Sequence, residues 1–163
     1  MAELTQLDEK LAEVMGLAQA AKETTSKVGK LVGDKDIKDL LRRMREEADE
    51  TAKRCEAVAG SREGKKSAIK AKARETKGEA QEMRDTYLGD DADGLDGLEF
   101  MTMAEAGEVG HVAILGAMGK NAGDRKVREL AEWAQPIEER HFRDIREASL
   151  KLADAEDPLE VSS

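Results

Sequence analysis

Four residues in the C-terminal half of this chain have types and spacing suited to metal chemistry: Glu105 and Glu108 in "AEAGEVGH", and Glu138 and His141 in "EERH". Residues three apart on a helix project side by side, so each pair can serve one ion or two adjacent ions. Carboxylates joined by an imidazole make an oxygen-rich, nitrogen-containing donor set that suits iron or manganese and admits zinc. The neighbours of the first pair are Leu98, Met101, Val112 and Leu115. A carboxylate placed in such an apolar stripe has to be paired, protonated or bound to a metal. His111, three residues after Glu108, is a further candidate ligand, although it turns off the stripe.

The elements that position these residues are helices. Alanine, leucine, glutamate and lysine dominate, aromatic residues are nearly absent, and no stretch reads as sheet. Alternating three-and-four spacing marks the helix stripes. The first runs from Leu4 through Leu11, Val14 and Ala18 to Val28, and the second from Ile37 through Leu41, Met44, Ala48, Thr51 and Cys55 to Val58. A third stripe, Ile69 to Tyr87, is so charged that it is expected on the outside of a bundle; Glu75, Glu79 and Glu82 form its solvated face. Glu79 becomes a ligand only if that helix replaces the first in the core. The fourth stripe is Leu98, Met101, Glu105, Glu108, Val112, Leu115, and the fifth is Ala131, Ala134, Glu138, His141, Ile145, Ala148, Leu152. Breaks fall at Gly29 to Asp36, Gly60 to Gly64, Gly89 to Gly94 and Asn121 to Asp124, with Asp34 or Asp36 as a cap for the second helix. Pro136 inside the fifth pattern predicts a kink that aims Glu138 and His141 inward, or else a helix boundary. Gly107 and Gly110 predict close helix approach or ligand access.

Length and charge narrow the classes further. The 163 residues fit one helical domain over 1–156 with a C-terminal tail over 157–163. Thirty-six acidic against 27 basic residues give a formal net charge of -9, which argues against a nucleic-acid or anionic-membrane partner. Cys55 is the only cysteine, so it makes no intrachain disulfide; it reads as a small core residue, and a reducing cytoplasm is the expected compartment. The apolar run from Met101 to Gly119 is not read as a membrane span, because Glu105, Glu108 and His111 would be costly in hydrocarbon.

Glu105, Glu108 and the Glu138–His141 pair resemble the second half of a rubrerythrin-like member of the ferritin-like superfamily. Glu138 follows Glu108 by 30 residues and Glu105 by 33, the spacing of that family's carboxylate helix and Glu-x-x-His helix. The resemblance covers residues 95–155. It implies an all-α, ferritin-like four-helix bundle with an additional charged crossover helix. It also implies iron, as one or two ions, reacting with oxygen or peroxide to oxidise ferrous iron or reduce peroxide.

The first hairpin departs from the family pattern. A second Glu-x-x-His is absent; Glu46 is followed three residues later by Asp49, and Glu47 lies nearer the apolar edge and is the better ligand from this hairpin. A homodimer completing one site from two incomplete ones is the expectation this gap motivates. The reading from another class is a metal-free helical bundle used for protein interaction.

Overall fold

The computed structural model describes residues 2–161, which form five helices and, among the described residues, no strand. They are α1 (Gln6–Gly29), α2 (Lys35–Gly60), α3 (Lys66–Tyr87), α4 (Gly94–Asn121) and α5 (Arg125–Asp154). Four of the five start on a capping side chain that accepts from a backbone amide: Thr5 for α1, Asp34 for α2, Asp93 for α4 and Asp124 for α5. Thr5 with Asp8, and Asp93 with Asp96, close reciprocal capping boxes. α3 has no side-chain cap.

Ion pairs and close approaches give the chain directions. Asp8 at the start of α1 meets Lys65 just before α3, and Lys27 at the end of α1 meets Asp85 at the end of α3. These two helices therefore run parallel. α4 begins against the Leu31 carbonyl and reaches Lys10 with His111, so it runs antiparallel to α1. α5 returns from Arg62, which meets its cap Asp124, to Asp34, which meets Lys151. The main packing pairs are α1 with α2, α4 with α5, α1 with α4 and α2 with α5, while α3 lies along α1. The five helices thus pack as one helical bundle, with α3 held mainly by α1.

The third helix is less detached than its charge predicts. Its first half is packed: Ala68, Ile69, Ala73 and Thr76 are buried. Gly16 of α1 makes this possible, since a Cβ there would collide with the Ala73 carbonyl and the Thr76 side chain. Its second half is open, with Met83 and Tyr87 exposed.

Along α4 the stripe from Leu98 to Leu115 is buried at every position named in the sequence reading, and along α5 every position from Ala131 to Ala148 is buried. α5 continues unbroken through Pro136, so the helix boundary reading does not hold there; the boundary lies at Asp124. Gly107 and Gly110 are exposed and a Cβ at either would meet nothing, so the expected close helix approach is absent at both. The close contacts of α4 are made instead by Gly97 against Val28 and by Gly119 against Val127. No helix among the described residues is long and apolar enough to cross a membrane.

The apolar interior is divided in two. One cluster gathers Leu11, Met15, Cys55, Ile69, Leu115 and Val127, and the other gathers Val28, Leu41, Met44, Leu98, Met101 and Ile145. Between them, at mid-bundle, lie the buried polar residues Thr51, Glu105, Glu108, Glu138 and His141.

Candidate metal centre

α4 delivers Glu105 and Glu108 and α5 delivers Glu138 and His141 because each helix keeps its three-and-four spacing through the polar positions. Glu105 and Glu138 are 2% exposed and His141 is 3% exposed. Oε2 of Glu105 and Oε2 of Glu138 each lie 3.6 Å from Nδ1 of His141. At that distance they are charge contacts and not hydrogen bonds. Both oxygens are buried without any hydrogen-bond partner. Among the described residues, Glu105, Glu138 and His141 bring one ligand atom each within 4.8 Å of one another.

Two carboxylate oxygens and one imidazole nitrogen converge here, a donor set that fits a divalent cation. Their own unmet polarity is the observation that carries the fit, since buried polar groups are otherwise nearly always partnered. The mixed oxygen and nitrogen set suits iron or manganese and admits zinc.

Glu47 belongs to the surroundings of this group. Its Oε2 lies 3.6 Å from Nε2 of His141, on the ring edge opposite Nδ1, and pairs with Arg140. A carboxylate on that edge cannot share an ion with Nδ1. It stands as a charge contact on the Nε2 edge, and Nε2 itself has no hydrogen-bond partner. Glu47, expected as a ligand from the first hairpin, thus lies beside His141 and outside the three-residue group.

Glu108 is buried and faces Glu138 across a narrow gap also lined by Val14, Ala18, Thr51 and Val112. It adjoins the three-residue group without joining it. From the facing α2, the Thr51 hydroxyl donates to the Glu47 carbonyl at this level, and the Glu47 carboxylate reaches the Nε2 edge of His141. His111 stands apart, partly exposed, with Nδ1 3.3 Å from Lys10 Nζ and 3.4 Å from Glu13. It lies outside the three-residue group, although it lines the same gap as Glu108 and Glu138. Glu79 is exposed on α3 and likewise lies outside the group.

The electrostatics follow from crowding three carboxylates around one imidazole. Burial pushes Glu105 up from the usual carboxylate range, an effect opposed by His141 and reinforced by Glu138. Burial, with the nearby charges of Glu105 and Glu138, pushes Glu108 well above that range. Burial alone would lower His141, but the adjoining carboxylates of Glu105 and Glu138 outweigh it and raise the imidazole to about 10. Without a cation the layer therefore holds extra protons; a divalent ion would take their place. Cys55, fully buried nearby, has its thiol pushed up to about 12 by burial and by Glu138, so it is an inert core residue.

Sequence reasoning missed Arg140 as the partner of Glu47. The signal available was its place two residues after Glu138, on the side of α5 that faces α2. Trp133 and Phe142 are partly buried, with Arg54 4.0 Å from the Trp133 ring centroid and Arg146 5.7 Å from that of Phe142. No protein-family model, curated protein or solved structure matches the chain.

Proposed function

We propose that this chain is a ferritin-like, rubrerythrin-like metal-binding bundle that holds one iron ion through Glu105, Glu138 and His141 and oxidises ferrous iron or reduces peroxide there. The observation that carries the reading is the convergence of two unpartnered carboxylate oxygens on Nδ1 of a buried histidine. Bound ferrous iron supplies one-electron redox chemistry toward oxygen or peroxide; manganese or zinc fits the same donors. The three ligands come from one chain, so the reading needs no second subunit.

The chain's own residues have separable parts. Glu47, anchored by Arg140, faces Nε2 of His141 and leaves Nδ1 for the ion. Glu108, which burial and its neighbours keep protonated, is a local proton store beside Glu138. The two apolar clusters above and below exclude bulk water.

One ion is favoured over two by a comparison of helix positions. Glu138 and His141 stand 14 and 17 residues after the cap Asp124 of α5. Ala48 and Thr51 stand 14 and 17 residues after the cap Asp34 of α2. Where a second Glu-x-x-His would be needed, the first hairpin has two residues that cannot replace it.

A rival reading, a metal-free bundle used for protein interaction, draws on the same layer, because an imidazolium at His141 would pair with Glu105 and Glu138 without an ion. Anaerobic loading with ferrous iron, desalting and metal analysis separate the two. The proposal expects about one iron per chain in the parent and none in a folded Glu138→Ala, His141→Ala double variant. An empty, folded parent would favour the rival.

A further inference from the structure

α3 and α4 are both packed on α1 but stand apart from each other, and an apolar groove of about 580 Å³ lies between them. Its size falls within the roughly 300–1,000 Å³ of small-molecule sites. The walls are Ala80 and Met83 of α3 and Phe100 and Met103 of α4, while Leu17 and Ala21 of α1 contribute to the floor. Met83 and Met103 are 66% and 52% exposed, a large apolar surface for a chain otherwise so charged. At its inner side the groove reaches Glu105 and Glu108. Glu105 is 2% exposed and its Oε2 is turned to Nδ1 of His141, so the groove ends against the buried carboxyl layer of the candidate centre.

We propose that this groove binds a single-chain, uncharged amphiphile whose alkyl chain lies along Met83, Phe100 and Met103 and whose hydroxyl or hydroperoxyl head reaches Glu105 and Glu108. The inference rests on the reading of Glu105, Glu138 and His141 as a metal centre, and it narrows that reading's peroxide to an alkyl hydroperoxide. Hydrogen peroxide has no use for an apolar groove of this size.

Charge selects the uncharged head. Lys10 and Lys72 at the groove rim are balanced by Glu13 and Glu79, so the rim presents no net field. Lys10 is already engaged by Glu13 and His111, and Lys72 lies 3.2 Å from Glu75. A carboxylate head would add a negative charge beside Glu105 and Glu108, and an ammonium head would compete with the ion and with His141 for the same oxygens. A neutral oxygen head can hydrogen-bond to these carboxyl groups without either conflict. Gly107 lines the same groove, and the open space where its Cβ would stand keeps the approach to Glu108 wide.

The test is calorimetric titration of the metal-free protein with 1-octanol, 1-decanol, decanoate and decylamine, stable probes that need no turnover. Saturable binding of one decanol per chain is expected, about fifteenfold tighter than octanol, since each buried methylene is worth about fourfold. Ala80→Trp, which fills the groove, and Met103→Asp, which charges its wall at an exposed position, should each weaken decanol at least tenfold with helical content and iron stoichiometry unchanged. Should Ala80→Trp fail to fold, Met103→Asp carries the test. Absence of saturable decanol binding, binding of decanoate or decylamine as tight as decanol, or full affinity in a folded Met103→Asp protein would overturn the inference. Because iron stoichiometry is measured separately, decanol binding with no iron sinks the metal reading and the hydroperoxide assignment that rests on it, whereas iron without decanol binding sinks the groove alone.

Discussion

The hairpins α1/α2 and α4/α5 solve the same packing problem with different chemistry. Both are long antiparallel helix pairs, and α2 and α5 both start on an aspartate cap. At mid-height the first offers Val14, Ala18, Ala48 and Thr51, whereas the second offers Glu105, Glu108, Glu138 and His141. The apolar hairpin gains burial at no electrostatic cost. The polar hairpin carries groups whose desolvation opposes folding unless they are paired, protonated or bound to an ion. The lesson is that scaffold and site are separable here: the bundle needs the stripe to be buried, and only one hairpin needs it to be polar.

The comparison breaks most visibly at His141. In metal-free protein, His141→Ala leaves Glu105 and Glu138 facing each other in a dry core and should cost about 3–5 kcal/mol. The matched change in the other hairpin, Thr51→Ala, removes one buried hydroxyl bond and should cost about 1 kcal/mol. Urea titrations of both variants in chelator check the pair, and equal losses would mean that the polar layer has no special standing.

Acidity sharpens the same contrast. Glu105, Glu108 and His141 all bind protons more tightly in the folded chain, their unfolded values being 4.5 for the glutamates and 6.5 for the histidine. A group raised on folding gives its full stabilisation below the unfolded value and loses it as pH rises through the folded one, about 10 for His141. The melting temperature of metal-free protein should therefore fall as pH rises from 4.5 toward 10. With ferrous iron present, the stabilisation conferred by the ion should grow over the neutral range, because it displaces those protons. Thermal scans across pH in chelator and in anaerobic ferrous iron test both slopes; a metal-free profile that rises with pH contradicts the assignment.

The smallest effect concerns glycines. Gly110 sits exposed within α4 with open space at its Cβ, so Gly110→Ala should stabilise the protein by roughly 0.5–1 kcal/mol. Gly16→Ala in the first hairpin should do the reverse, since its Cβ would strike the Ala73 carbonyl of α3. Opposite signs in thermal melts are the expected result.

Much of this was legible in the chain because periodicity reports burial directly. The stripe positions from Leu98 to Leu115 and from Ala131 to Ala148 named every buried polar residue of α4 and α5. What periodicity could not report was azimuth within the layer: Glu47 meets His141 at Nε2, on the edge opposite Glu105 and Glu138, and His111 turns toward Lys10. Gly16 was illegible for another reason. Its importance depends on α3, whose contact with α1 is set by the route of the chain and not by any feature of "VMGLA" itself. The groove between α3 and α4 arises from the same routing.

The buried layer has a further consequence for how the helices choose their alignment. Stripes of leucine, methionine and alanine repeat every turn, so a helix sliding by one turn along its neighbour would still set apolar against apolar. With Glu105 and Glu108 opposite Glu138 and His141, a one-turn slip of α5 would carry these groups level with Met101 or Val112, stranding charge against hydrocarbon. The polar layer thus acts as an alignment key, making one register of an otherwise repetitive pair distinguishable from all its neighbours.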